Sequence, residues 1–544
     1  MVRLGDGSIG LLPEEWIGRH FPALELALKD KASKGLRFRS SQALVLDSLL
    51  EEKAAEFDDS RFTELTRALK DFSGVKKMPV PAPFKGQLRP YQQEALGWFA
   101  FLKQFGFGGI LADDMGLGKT VQVLAMLAGE VRDATGPSLI VAPTSLMFNW
   151  QREAERFVPD LRVVLYCGAR RSCMTGGFED ADIILTTYAI LRRDIAILKE
   201  QRFNYIILDE SQVIKNARSI TAKAVKILNG KHRLCLTGTP LENHIGELWA
   251  QMEFLNPGLL GSPRFFDAQF IRPVADSDDE ALGLLKRTIR PFILRRTKEA
   301  VARELPEKVE QIVLCRMTDG QARLYDKLRE HYRVSVMGDM PGGANDVRFK
   351  MLEGLLRLRQ AAAHPGLLGE EGAGSGKLDE LIFLLDKVVS EGHKALIFSQ
   401  FTSMLTLIRE AVSKMCMDYE YLDGKTPGAE REKKVRRFQS DEGVRLFLIS
   451  LKAGGVGLNL TAADYVFLVD PWWNPAVELQ AVDRTHRIGQ NKKVFTYRLI
   501  SEGTVEEKVM ALQDRKRKLV GEFLSGHQDM LKKLSSDDIA FLFS

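Results

Sequence analysis

Cysteine is scarce in this chain: five in 544 residues, Cys167, Cys173, Cys235, Cys315 and Cys416. None form a Cys-x-x-Cys pair, so neither a disulfide framework nor a structural zinc module is indicated, and reduced, buried thiols are expected. Long hydrophobic runs are missing too. No stretch approaches the ~18 apolar residues of a membrane span, and Met1 to Trp16 lacks the basic and apolar regions of a signal peptide. A soluble, cytoplasmic protein with no membrane partner is expected. There is little excess of one charge. Lys+Arg total 77 against 72 Asp+Glu, a net +5, which permits nucleic-acid binding without arguing for it. What is abundant is ordinary globular composition, 45% hydrophobic and 27% charged, so disorder of the whole chain is excluded. The length predicts about three or four domains.

The texture changes along the chain. Residues up to about Gly74 read as mostly helical, with apolar residues at helical spacing in Leu24–Leu28, Leu44–Leu50 and Phe62–Leu69. The alternating prolines of Met78-Pro79-Val80-Pro81-Ala82-Pro83 favour an extended tether. From Leu88, short β-rich runs alternate with amphipathic helices: Gly109–Ala112, Ser138–Ala142, Ile183–Thr186, Tyr205–Leu208 and Arg233–Leu236. That rhythm marks an α/β domain with a parallel sheet. His244 to His364 is richer in helical pattern, and the glycine-rich stretch from Gly366 to Gly376 reads as a flexible hinge. A second α/β rhythm follows in Ala395–Ser399, Tyr419–Leu422, Arg445–Ser450, Tyr465–Val469 and Val494–Leu499. The expected divisions are a helical first segment at 1–78, a linker at 79–87, one α/β lobe at 88–258, a helical protrusion and hinge at 259–376, a second α/β lobe at 377–519 and a tail at 520–544.

Asp113-Asp114-Met115-Gly116-Leu117-Gly118-Lys119-Thr120 follows a strand and opens a helix. Backbone N–H groups of such a loop surround phosphate oxygens, and the helix N-terminus adds partial positive charge. Gly116 and Gly118 let the backbone approach closely, Lys119 reaches the β- and γ-phosphates, and Thr120 holds magnesium. Asp113 stands where such loops usually begin with glycine. A second signal joins it. Tyr205–Leu208 is a buried-strand run that ends in Asp209-Glu210-Ser211-Gln212. Carboxylates at a strand's C-terminal end suit a magnesium partner, Asp209, beside a group that orients or deprotonates water, Glu210.

In the second lobe, Arg484 and Arg487 stand three apart, so on a helix they share a face. Two guanidinium groups there suit the charge that builds on a transferring phosphoryl group. His486 between them reads as a packing or hydrogen-bonding residue. Ser450 to Asn459 is glycine-rich after a strand, and Asp470-Pro471-Trp472-Trp473-Asn474-Pro475 offers aromatic rings for packing or for DNA.

Together these blocks resemble the Swi/Snf-type family of superfamily 2 helicase-like, DNA-dependent ATPases. The text that carries the resemblance includes Leu88-Arg89-Pro90-Tyr91-Gln92, Leu111 to Thr120, Val141 to Leu146, Asn149-Trp150, Thr186-Thr187-Tyr188 and Lys215-Asn216. It continues with Leu236 to Asn243, Leu294-Arg295-Arg296-Thr297-Lys298, Ile397 to Phe401 and Leu451 through Gln490. The resemblance implies two RecA-like parallel-sheet lobes with ATP in the cleft between them. It implies Gln92 at the adenine, Lys119 and Thr120 on phosphates and magnesium, Asp209 and Glu210 as the hydrolytic pair, and Arg484 and Arg487 as arginine fingers. Gly116, Gly118, Gly457 and Asp483 are implied near the nucleotide, and Thr237 to Pro240 as the coupling element. Pro143, Thr144, Thr187, Lys215, Asn216, Ser399, Gln400 and Trp473 are implied along a DNA track, and Arg515 to Lys518 as a brace helix. In a bacterium the protein is then expected at the nucleoid.

Two departures stand out. The acidic box ends Ser211-Gln212, not Ala-His, which leaves both carboxylates intact. Ala361-Ala362-Ala363-His364-Pro365 is less polar than expected before that His-Pro. The first segment is similar to one preceding the ATPase core in bacterial members. It starts abruptly, with Gly5-Asp6-Gly7 reading as a hairpin turn whose first strand is mostly absent, so a longer natural chain is allowed for. The expected activity is ATP hydrolysis coupled to translocation on double-stranded DNA and remodelling of protein–DNA complexes, through backbone contacts with strong salt dependence. One rival is a strand-separating helicase. Another is an ATP-gated remodeller of a protein complex such as RNA polymerase, stimulated by protein and not by DNA.

Overall fold

A computed structural model of the chain describes residues 77–130, 136–168, 178, 180–238, 245–275, 278–301, 306, 308–338, 344–370, 372, 374–454, 458, 460–472, 475–487 and 490–511, with short pieces before residue 77. The chain divides into two compact units, residues 1–114 with 118–297, and residues 115–117 with 298–544.

The first unit is built on a seven-stranded sheet. Its strands are β1 (Gly109–Leu111), β2 (Ser138–Ala142), β3 (Val163–Leu165), β4 (Ile183–Thr187), β5 (Arg202–Asp209), β6 (Asn229–Leu236) and β7 (Ile293–Leu294). They lie in the order β7-β1-β6-β5-β2-β4-β3, and every pairing is parallel. Parallel sheets are covered on both faces, so their strands read as unbroken apolar runs. Leu139-Ile140-Val141 and Ile206-Ile207-Leu208 follow that rule and are wholly buried. Helix α1 (Pro90–Phe105) starts on a proline and stops at Gly106; its buried Trp98 donates to the Pro291 carbonyl at 2.9 Å. Helix α2 (Lys119–Glu130) follows β1 directly through the Asp113–Gly118 loop.

The second unit repeats the plan with six strands. They are β8 (Lys308–Cys315), β9 (Ala395–Ser399), β10 (Tyr419–Leu422), β11 (Leu446–Ser450), β12 (Tyr465–Leu468) and β13 (Val494–Ser501). Their order is β8-β13-β12-β9-β11-β10, again all parallel. Alternate residues serve opposite faces. Leu396 and Phe398 enter one core with Phe447, Ile449 and Val466, while Ala395 and Ile397 enter the other with Leu446, Leu448 and Phe467. Helices α3 (Asp319–Gly338) and α4 (Ala344–Ala363) pack on each other and on Val505 and Val509. The alanine run at the end of α4 has a packing reason. Ala361, Ala362 and Ala363 are fully buried, and their carbonyls accept from Gln321, Ser501 and Ser375.

Ten expected strands are present, which gives the two-lobed α/β architecture. Three further strands of these two sheets carried no clear signal. Strand β7 has two residues, and β3 is only half-buried. Strand β8 falls in the stretch expected to be helical. It lies at a sheet edge with Ile312 and Leu314 exposed, so its apolar residues do not mark a buried run. The expected hinge also differs. It lies inside the second unit, where Ser375 caps helix α5 (Gly376–Ser390) and Thr318 donates to the Gly374 carbonyl. The backbone at Gly376 sits so close to the Arg316 carbonyl that no side chain fits there.

Near the start, Val2–Arg3 pairs antiparallel with Ile9–Gly10, so the hairpin expected around Gly5 has a first strand. Leu28–Lys29 pairs with Leu36–Arg37 and is strand where helix was expected. The helices expected at Leu44–Leu50 and Phe62–Leu69, the Arg515 to Lys518 brace and the tail lie outside the described residues. Cys235 and Cys315 are buried, as expected of such thiols, but Cys416 is exposed.

Lys377 and Glu506 form a 2.5 Å ion pair with neither side chain exposed. Removing one partner of such a pair strands a buried charge, at a cost of about 3–5 kcal/mol. Lys377→Met therefore destabilises the second unit by roughly that amount in urea unfolding. The double variant Lys377→Met/Glu506→Leu recovers most of the loss; a double variant as unstable as the single one contradicts this reading.

Candidate active site

In a parallel sheet all carboxyl ends point one way, and ligands bind beyond them. The sequence-expected residues of the first unit collect at that edge. The Asp113–Thr120 loop follows β1, Pro143 and Thr144 follow β2, Thr187 ends β4, Asp209 ends β5 and Thr237 follows β6. Gly116 and Gly118 have φ of 88° and 78°, a left-handed backbone suited to glycine. Gln92 lies against this loop: a Cβ on Gly118 would come 2.7 Å from its Nε2. The Lys119 ammonium donates to the carbonyls of Asp113 (2.6 Å) and Asp114 (3.4 Å). Thr120 lies in the first turn of α2.

The Asp209 carboxyl is buried, and each of its oxygens accepts a hydrogen bond. Its Oδ2 accepts from the Trp150 indole at 2.8 Å, and its Oδ1 from the Glu210 N–H at 2.9 Å. Burial, with the Glu210 charge second, pushes Asp209 up to about 7; the Trp150 bond, the Lys119 charge and the Glu210 N–H pull the other way. A carboxylate this reluctant to ionise beside Lys119 suits a divalent cation, which would supply the missing positive charge. Glu210 takes a left-handed backbone, φ 50°, a strained conformation for a residue with a side chain. Its Oε2 accepts from Gln212 at 2.8 Å, and Gln212 in turn accepts from the Thr237 hydroxyl at 3.1 Å. The departure at Gln212 thus builds a bridge from the acidic pair to the end of β6.

The expected DNA residues of this unit are differently placed. Thr144 is exposed and Pro143 half-buried. Thr187 is buried and caps the next helix through Ile190. Lys215 pairs with Glu247 at 3.4 Å, and Asn216 accepts from the Arg218 N–H.

In the second unit, Ser399 and Gln400 stand at the end of β9. The Gln400 N–H donates to Asp470 at 3.0 Å, and Ser399 accepts from Phe401. Burial pushes the Asp470 carboxyl up, while the Ser399 hydroxyl and the Arg359 guanidinium hold it down. Helix α6 (Pro475–Val482) ends before the arginines. Arg484 and Arg487 therefore do not share a helical face, contrary to expectation. The chain turns instead, with Arg484 N–H on Ala481 and Thr485 N–H on Val482. Gln490 holds the turn from outside, donating to Thr461 and Ala463. Arg484 is 2% exposed, whereas Arg487 is half-buried and donates to the Asp483 carbonyl. Lys298 grips the same turn through Asp483 Oδ1 (2.6 Å) and the His486 carbonyl (2.7 Å). His486 donates from Nε2 to the Pro306 carbonyl at 2.9 Å, and burial lowers its pKa, in keeping with a packing role. Gly457, Trp473 and Thr239 to Asn243 lie outside the described residues.

Sequence reasoning assigned no role to Trp150, Gln212, Arg296 or Lys298. An amide two residues past the acidic pair is a local signal for Gln212. The others act across 59 to 205 residues of chain, beyond any local pattern.

Comparison with known proteins gives two family matches: the SNF2-related domain over residues 91–367 and the helicase conserved C-terminal domain over 376–489. The putative ATP-dependent helicase/translocase YwqA of Bacillus subtilis is 39% identical over 505 residues, covering 90% of this chain and 54% of that protein. The TATA-binding protein-associated factor MOT1 of Saccharomyces cerevisiae is 34% identical over 569 residues, covering 91% of this chain and 30% of that protein. The chain thus spans about half the length of the first relative and under a third of the second. The Sulfolobus solfataricus SWI2/SNF2 ATPase core in complex with dsDNA is 38% identical, covering 86% of this chain and 99% of that one, with a TM-score of 0.44.

The raised pKa of Asp209 fixes the sign of a pH effect. Folded, the group keeps its proton up to about 7, so its contribution to stability falls as pH rises from the ordinary carboxylate range through that value. A cation held by Asp209 would need the ionised form, so magnesium–ADP affinity would rise over the same window. Trp150→Phe removes a bond to the ionised carboxylate and displaces that rise to higher pH. A titration of magnesium–ADP binding against pH checks this; an unmoved profile contradicts the role of the indole.

Proposed function

We propose a DNA-stimulated, ATP-driven translocase activity for this chain, which belongs to the SNF2-related family. The observation that carries the reading is the placement of Lys119, after β1, and of the Asp209–Glu210 carboxylates, after β5, at the carboxyl edge of one parallel sheet. The two are near enough for the lysine charge to act on Asp209. In this reading Gln92 contacts the adenine, the Gly116–Gly118 backbone cradles the phosphates, and Lys119 neutralises the outer ones. Thr120 and Asp209 would hold magnesium, whose charge would offset that on the phosphate oxygens. Glu210 orients or deprotonates the attacking water, and Gln212 carries its position to Thr237. Arg484 and Arg487 supply guanidinium charge when the two units close, with Asp483 and Lys298 holding the turn that bears them. Such a finger is worth ~10³–10⁵ in rate in related phosphoryl-transfer systems.

Double-stranded DNA is the proposed partner, bound along Pro143, Thr144, Thr187, Lys215, Asn216, Ser399, Gln400 and Trp473. The Bacillus relative is described as a helicase/translocase, and a translocase needs a nucleic-acid track to move on. Backbone contacts dominate, so affinity falls steeply with salt and depends little on sequence. Closure driven by DNA spanning both units raises turnover by population shift. The proposed location is the cytoplasm, at the nucleoid in a bacterium. The similarity to MOT1, a TATA-binding protein-associated factor, favours a second reading: the motor acts on a DNA-bound protein complex.

Lys119→Ala abolishes ATP hydrolysis and leaves duplex DNA binding in place; normal turnover removes the phosphate-loop assignment. Arg487→Ala retains ATP binding and loses DNA-stimulated turnover; hydrolysis at the parent rate places the fingers elsewhere. A triplex-displacement assay beside a forked-duplex assay separates translocation from strand separation: the third strand is displaced and the duplex stays closed.

A further inference from the structure

Asp113 stands where glycine usually opens a phosphate loop, and its side chain is wholly buried. A buried carboxylate must be paired. Here a single residue supplies most of the pairing. Arg296 donates its backbone N–H (3.1 Å) and Nε (2.9 Å) to Asp113 Oδ1, and its Nη2 (2.5 Å) to Oδ2, across 183 residues of chain. Gln122 in α2 donates to the same Oδ2 at 3.1 Å and accepts from the guanidinium at 2.8 Å. The guanidinium also donates to the Tyr91 carbonyl and lies 5.1 Å over the Tyr91 ring. The backbone runs alongside: Ala112 N–H donates to Leu294, and Asp114 N–H to the Arg296 carbonyl.

We propose that Arg296 is the positioning residue of the phosphate loop, a side chain that touches no substrate and sets the loop through Asp113. This rests on the reading of that loop as the ATP site. Each partner of the guanidinium belongs to a nucleotide element. Asp113 opens the loop, Gln122 sits in the first turn of the helix the loop feeds, and Tyr91 precedes Gln92. The Lys119 ammonium rests on the Asp113 carbonyl, so whatever fixes Asp113 also fixes Lys119. Arginine is required over lysine because a rigid planar fork reaches Asp113, Gln122 and Tyr91 at once, and one ammonium does not. The side chain is 10% exposed, so its charge is coupled to Asp113 with little screening by water.

The test compares the full-length parent with Arg296→Ala, Arg296→Lys and the double variant Asp113→Gly/Arg296→Ala. Fluorescent ADP binding, KM and kcat for ATP, duplex DNA affinity and thermal melting are measured on each. Arg296→Ala is expected to weaken ADP binding and raise KM by at least about tenfold, on the order expected when a phosphate contact is displaced, while DNA affinity stays within about twofold. Arg296→Lys falls between. The double variant binds ADP more tightly than Arg296→Ala, because the stranded carboxylate is gone and glycine opens the loop. Arg296→Ala that is folded and binds ADP like the parent overturns the proposal. If that variant does not fold, Arg296→Lys with parent affinity overturns it equally, as does a double variant that gains nothing over a folded single one. A parent that binds no nucleotide overturns the ATP reading itself, a result distinct from those.

Discussion

The carboxyl ends of a parallel sheet all face one way, and that constraint organises both units. Unrelated stretches of chain, from the Asp113 loop to Thr237, are delivered to one edge because each follows a strand of the same direction. The hydrophobic effect drives this arrangement without reference to chemistry. Runs such as Ile206-Ile207-Leu208 must be covered on both faces, and covering them leaves Asp209 and Glu210 at the carboxyl end of the strand.

Buried charge is the second organising force. Asp113, Asp209 and Asp470 are all carboxyls placed at strand ends with little access to water. Each is held by a donor from distant chain: Arg296, Trp150 and the Gln400 backbone, with the nearby Gln122 also on Asp113. Such groups tolerate few alternative arrangements, since moving a partner strands the charge. In the second unit the same logic reaches the arginine turn, where Lys298 holds Asp483 and Gln490 fills backbone acceptors. Rigid surroundings of this sort are what a phosphoryl-transfer site requires, because its catalysis is almost entirely positioning and charge stabilisation.

Much of this was legible in the sequence. Buried strands announce themselves by apolar runs, and the loop ending Lys119-Thr120 and the Asp209-Glu210 pair announce themselves by residue type at a strand end. The spacing of Arg484 and Arg487 is plain in the sequence, but their geometry is not. Spacing of three suggests one helical face, yet the helix stops at Val482 and side-chain bonds from Gln490 and Thr485 shape a turn. Edge strands were missed because their exposure hides the apolar pattern, as at Ile312 and Leu314. The glycine-rich stretch before α5 suggested a hinge, but it lies inside the second unit and its Gly376 serves close packing against Arg316. Long-range partners such as Arg296 and Trp150 leave no local trace.

The most direct test of the account is Glu210→Gln, which keeps the shape of the site and removes the carboxylate proposed to act on water. Nucleotide binding and ATP turnover are measured side by side, with and without duplex DNA. The account predicts magnesium–ADP affinity close to the parent and turnover reduced at least about a hundredfold in both conditions. Turnover near the parent rate in the presence of DNA would contradict it.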